Sequence, residues 1–200
     1  MAQRWWPAES AFEVVVGAVL TQNTNWSNVE RAIDRLRTAG ALSLRCMLQM
    51  RLEHLAELIR PSGYYNIKAQ RLRNLCEFLD EAGGLDSLGQ LPVGEARRAL
   101  LAVKGIGPET ADDILLYALD MPVFVIDTYT RRLLVRHGLA RGDEGYEVLR
   151  EGFEGVLPRD AQLYRQYHAL IVEHAKTACR KQPVCNTCCL QGICGKVAVG

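Results

Sequence analysis

The chain has 200 residues, enough to bury about two-thirds of its unfolded surface in one domain or two small ones. Its composition, 48% hydrophobic, 24% charged and 7% aromatic, is that of an ordinary globular protein and excludes a disordered, collagenous or disulfide-dense chain. With 24 Lys and Arg against 23 Asp and Glu the net charge is +1, so overall charge gives no support for a polyanion partner, which local groups would have to hold.

Helical periodicity runs through the sequence. Ser10 with Glu13 forms a capping-box signature, and Phe12, Val15, Val16, Val19 and Leu20 follow at helical spacing. That helix is expected to end at the polar run 21–25. Further helices are expected over Ser27–Arg37 and Leu52–Ile59, the latter stopped by Pro61-Ser62-Gly63. Ile67–Phe78 reads as a fourth, with Leu72, Leu75 and Leu79 inward and Lys68, Arg71 and Arg73 outward. Glu95–Val103 and Glu109–Leu119 flank a glycine turn. Val123–Ile126 is strand-like but has no partner run, so it reads as a buried connection. Thr128–His137, Tyr146–Phe153 and Ala161–Ala178 complete an all-α pattern. A domain boundary is expected near Leu119–Pro122, giving a six-helix domain over 10–118 and a second lobe from 1–9 and 119–200. The cleft between the lobes is expected to hold Asp127 and to face the hairpin. No apolar run approaches the ~20 residues of a membrane span, and residues 1–10 lack a signal-peptide core; a cytoplasmic protein is expected, associated with the nucleoid if bacterial.

The turn between the fifth and sixth expected helices has a physical logic. In Lys104-Gly105-Ile106-Gly107-Pro108-Glu109-Thr110 the two glycines permit a tight hairpin, and Pro108 suits the first helical position. Unpaired amides at the following helix N-terminus make a phosphate site that binds backbone without reading sequence. A plain corner between two helices also accommodates such glycines. Downstream, the apolar run 123–126 delivers Asp127 to the next helix start, where it is either a cap or a carboxylate working in a desolvated pocket.

Seven cysteines, an odd number, point away from disulfides in a cytosolic chain. Cys179, Cys185, Cys188 and Cys194 fall within sixteen residues with one tight pair, a set able to hold zinc or a [4Fe–4S] cluster, with Cys189 a bystander.

Taken in order, Leu20-Thr21-Gln22-Asn23-Thr24, Gly63-Tyr64-Tyr65-Asn66-Ile67-Lys68-Ala69, the glycine hairpin, Val125-Ile126-Asp127-Thr128 and the C-terminal cysteines resemble the helix–hairpin–helix/Gly-Pro-Asp superfamily of DNA glycosylases, and within it endonuclease III and its relatives. The resemblance spans about Trp6 to Cys194. It implies a two-lobed helical fold and a monomer that flips a damaged base out of double-stranded DNA and breaks its glycosidic bond, with Asp127 as the catalytic carboxylate. It implies that Gln22 and Tyr64 enter the duplex as plug and wedge. Lys104, Gly105, Ile106, Gly107 and Thr110 are implied to meet phosphates. A [4Fe–4S] cluster on Cys179, Cys185, Cys188 and Cys194 is implied to pin Arg180 and Lys181 in a loop facing phosphates. The first cysteine gap holds five residues, one fewer than in the family.

One departure carries chemistry. Where the strand-cleaving members have a lysine nucleophile this chain has Glu109, which forms no Schiff base, so a hydrolysing, monofunctional enzyme is expected. Trp5-Trp6-Pro7 before the first helix resembles the alkylpurine (3-methyladenine) glycosylases among endonuclease III relatives; stacked indoles attract a cationic alkylated purine, though paired tryptophans also close helices onto cores. Trp26 is a further candidate wall or a core residue. His168 and His174 are read as packing residues. An oxidised-pyrimidine glycosylase with AP-lyase activity and a non-catalytic DNA-binding module are the alternatives.

Overall fold

The structure is a computed structural model that describes residues 7–195. Among the described residues the chain is helical, with no strand. It divides into two compact units that part between Met121 and Pro122.

The first unit is arranged around α1 (Ala11–Leu20). Ser10 caps it, its hydroxyl accepting from the Glu13 amide at 3.1 Å. Val15, Val16, Val19 and Leu20 are at most 1% exposed, so the helix is buried rather than amphipathic. Its one buried carboxylate, Glu13, is paired with Arg37 at 2.9 Å. Around it lie α2 (Trp26–Thr38), capped by Asn25, and α5 (Tyr65–Glu81), whose Leu72, Leu75 and Leu79 face inward as the periodicity required. Two short helices, α3 (Leu44–Gln49) and α6 (Gly84–Gly89), lie outside the helices expected from periodicity. With α4 (Leu52–Leu58), α7 (Val93–Ala102) and α8 (Pro108–Asp113) they complete this unit. The helix expected over Glu109–Leu119 changes character halfway: past Asp113, residues Ile114–Ala118 widen into a π-type turn packed on α1.

The second unit carries α9 (Thr128–Arg136), α10 (Tyr146–Val156) and α11 (Ala161–Thr177). Val123–Ile126 is a buried extended connection, each residue at most 2% exposed. Having no partner strand, it donates its amides to side chains of α10. The Phe124 amide donates to Glu154 at 2.9 Å and the Ile126 amide to the Tyr146 hydroxyl at 3.3 Å. Phe124 stacks on Phe153 with ring centroids 4.0 Å apart. Asp127 is thereby delivered from a fixed segment to the start of α9.

Candidate functional site

The C-terminus of α1 leaves carbonyls that need donors. The Thr21 hydroxyl meets those of Gly17 and Ala18 at 3.1 and 3.0 Å, and the Gln22 amide meets that of Val19 at 3.4 Å. The Leu20 carbonyl accepts from the ammonium of Lys68 at 2.8 Å. Lys68 is 1% exposed, which corrects the expectation that it faces outward. Two inward acceptors draw it in, because its Nζ also donates to the Ser62 carbonyl at 2.7 Å. Burial, and then the nearby Arg71 cation, push the Lys68 ammonium down to about 8.

Gly63 and Tyr64 follow Ser62 with φ of +69° and +47°, and this left-handed pair turns Tyr64 out of the core. Tyr64 is 69% exposed, so it is no core aromatic. Gln22, half-buried, donates to the Gly105 carbonyl at 3.3 Å and to the Thr110 hydroxyl at 2.9 Å, and accepts from Arg71. The plug candidate is thus joined to the hairpin.

In the hairpin Gly105 has φ of +100°, and a methyl group there would overlap the Arg71 side chain. Gly107 differs from expectation: its φ of −94° is ordinary extended backbone, and nothing lies within 4 Å of a methyl group built on it. Ile106 and Thr110 are buried, whereas Lys104 and Glu109 are exposed. The Lys104 carbonyl accepts from Asn74 at 2.9 Å. Trp26 is half-buried rather than core, its indole donating to Glu30 at 2.8 Å. Trp5 and Trp6 lie outside the described residues.

In the second unit Asp127 caps α9, one carboxylate oxygen accepting from the Thr130 amide at 2.7 Å. The other lies 3.6 Å from Nε2 of His168, and the Asp127 side chain is 14% exposed. Burial works to raise its pKa, but the hydrogen bond and charge of His168, with the Thr130 amide, outweigh that and hold the carboxyl below its usual range. His168, read from the sequence as a packing residue, is 5% exposed on α11. It sits one turn from Tyr164 and from Val172, both buried, on the inward face of α11.

The cysteine loop is organised by two arginines. Arg132 donates to the Cys179 carbonyl at 2.9 Å; Arg136, 6% exposed, donates to the Cys179 sulfur at 3.1 Å and to the carbonyls of Arg180 and Lys181 at 2.6 and 3.0 Å. The Arg180 and Lys181 side chains are exposed. The Cys188 sulfur lies 3.7 Å from His174, whose pKa burial lowers, and the Cys194 sulfur lies 3.6 Å from the Arg136 carbonyl. Four thiols on one loop fit a four-sulfur centre in type. Among the described residues, however, no three candidate ligands stand close enough together to hold a metal.

The family profile of the HhH-GPD superfamily base excision DNA repair proteins matches residues 16–159, and the chain belongs to that superfamily as a DNA glycosylase. A Methanocaldococcus jannaschii protein carrying a provisional assignment as a DNA repair glycosylase is 47% identical over 195 residues, covering 96% of this chain and 89% of its own. Endonuclease III of Thermotoga maritima is 30% identical, over 92% of this chain and 82% of its own. Among solved structures, H. pylori 3-methyladenine DNA glycosylase bound to 1,N6-ethenoadenine superposes with a TM-score of 0.75 at 33% identity, over 86% of this chain and 88% of that one. An endonuclease III–DNA covalent intermediate superposes with a TM-score of 0.83 at 24% identity, over 98% and 88%, a likeness of fold. Among the described residues no helix is long and apolar enough to cross a membrane.

Proposed function

We propose that the chain is a monofunctional, monomeric glycosylase that flips an alkylated purine out of duplex DNA and hydrolyses its glycosidic bond. The observation that carries this reading is a pair of carboxylates. Asp127 is held ionised and largely dry, and Glu109 occupies the place of the lyase lysine. As the bond to the base lengthens, positive charge develops on the sugar; the fixed Asp127 carboxylate stabilises it and orients the water that attacks C1′. Without an amine nucleophile at residue 109 no Schiff base forms and the strand stays intact. N3- or N7-alkylated purines are cations that leave readily, so such a site needs little acid catalysis.

Several features support the substrate and contact assignments. The likeness to the H. pylori enzyme and the Trp5-Trp6-Pro7 and Leu20–Thr24 motifs favour an alkylated purine. Exposed Tyr64 suits a wedge, and Gln22 beside the hairpin suits a plug. Neither φ nor packing requires glycine at 107, so its bare surface suits close approach of a phosphate, with Lys104, Gly105, Ile106 and Thr110 shaping the site. Cys179, Cys185, Cys188 and Cys194 would hold a [4Fe–4S] cluster, which would rigidify the loop bearing Arg180 and Lys181.

The test is a panel of lesion-bearing oligonucleotides scored separately for released base and nicked strand, with borohydride added. Release of alkylated purine with no nick and no trapped adduct is expected. A covalent adduct together with release of oxidised pyrimidines would establish an endonuclease III-type activity instead, and binding without release of any base would leave a DNA-binding module.

A further inference from the structure

Helix α5 carries a polar stripe at positions i, i+3 and i+6: Lys68, Arg71 and Asn74. These residues stack on one helix face. Each reaches outside its own helix. Lys68 binds the Leu20 and Ser62 carbonyls, each two residues before a candidate duplex-entering residue, Gln22 and Tyr64. Arg71 donates to the Gln22 side chain and fills the space that the missing Cβ of Gly105 leaves. Asn74 donates to the carbonyl of Lys104 at the mouth of the hairpin. Gln22 closes the circuit through Gly105 and Thr110.

Stability alone accounts poorly for this arrangement. An ammonium buried against neutral carbonyls costs more than a well-packed apolar side chain of the same volume. A cation at the C-terminal end of α1 recovers part of that cost, but it could do so from an exposed position. What the buried site adds is that one atom fixes two loops at once. We infer that Lys68, Arg71 and Asn74 are positioning residues that set the plug loop, the wedge loop and the phosphate-binding hairpin in register, so that the duplex meets all three as one rigid surface. This rests on the duplex-entering roles of Gln22 and Tyr64 proposed above. The chemical step is untouched by it: the brace governs opening of the duplex.

The experiment compares the wild type with Lys68→Met on two substrates, the lesion in a fully paired duplex and the same lesion inside a three-base-pair bubble where opening is already done. A 2-aminopurine beside an abasic site reports opening without any excision. Lys68→Met is expected to lose about tenfold to a hundredfold in single-turnover excision from the paired duplex, to lose the fluorescence rise, and to stay within about threefold of wild type on the bubble. Leu36→Ala, a core truncation in α2, is expected to lower both substrates equally if it lowers either. If Lys68→Met does not fold, Lys68→Arg carries the same test, because it keeps charge and donors but cannot place one atom against both carbonyls. Equal losses on the two substrates, or no loss on either, would overturn the inference. A wild type that opens DNA but releases no base would sink the glycosylase reading alone, and one that does neither would sink both.

Discussion

At Asp127 one carboxylate answers two structural demands. One oxygen holds the Thr130 amide and starts α9, while the other faces His168, with the side chain only 14% exposed. Substitutions separate the two roles. Asparagine caps a helix about as well as aspartate, so Asp127→Asn is expected to keep the cap and to lose only the stability linked to the ionised carboxylate. The same change should lower base release by about a thousandfold or more and leave duplex binding intact. Urea unfolding, a single-turnover assay and a binding assay on one preparation check all three. Replacing His168 removes the main groups opposing desolvation, so the Asp127 pKa in His168→Ala is expected to rise. The sign follows directly. A depressed carboxyl keeps its charge, and the stability linked to it, until pH falls through the depressed value; in His168→Ala both are lost at higher pH. The acid limb of the excision rate should therefore move upward in pH, with a rate loss of about tenfold at neutral pH. An unmoved acid limb would show that His168 only packs.

The helices and turns differ in how openly the sequence announced them. Caps are local, so Ser10 and Asp127 were legible at once as N-caps: each side chain meets an amide three residues on. The helices over residues 26–38 and 65–81 follow from periodicity. Helices α3 and α6, at six residues each, are too short for a periodic signal. Lys68 misled because its i, i+3 pairing with Arg71 reads as a solvated face, whereas one acceptor comes from a residue 48 positions away. The burial of His168 was legible, but its approach to Asp127 was not, since that partner lies on another helix start. The two hairpin glycines look equivalent in sequence and are not. Gly105→Ala meets both a φ of +100° and the Arg71 side chain, and should destabilise the protein by about 1–3 kcal/mol. Gly107→Ala meets neither, so thermal unfolding should be almost unchanged while affinity for undamaged duplex falls. Lys68 supplies a third expectation. Its folded-state value of about 8 lies below the ordinary 10.5, so between those values the unfolded chain binds more protons. Unfolding free energy should thus rise with pH across that window in the wild type relative to Lys68→Met.

For the molecule as a whole, the charge balance decides how it holds a polyanion. Part of its positive charge is engaged internally. Arg37 binds Glu9, Glu13 and Asp34, Arg150 binds Glu147 and Glu154, and Arg97 binds Asp112. Arg73 and Arg131 donate to backbone carbonyls, as do Arg132 and Arg136 at the cysteine loop. The exposed cations that the family resemblance assigns to phosphates are Lys104, Arg180 and Lys181, and the hairpin adds amides. With the +1 net charge, this predicts neutralisation of only about 3–5 phosphates. Each releases close to one counterion, so the logarithm of the affinity should fall against the logarithm of salt concentration with a slope of about −3 to −5. Lys104→Ala should make that slope shallower by about one while weakening damaged and undamaged duplex alike, the mark of a contact that positions without reading sequence. Titrations of an abasic duplex at several salt concentrations check both numbers. A slope near −10 would instead mean a more extended basic surface than these contacts make.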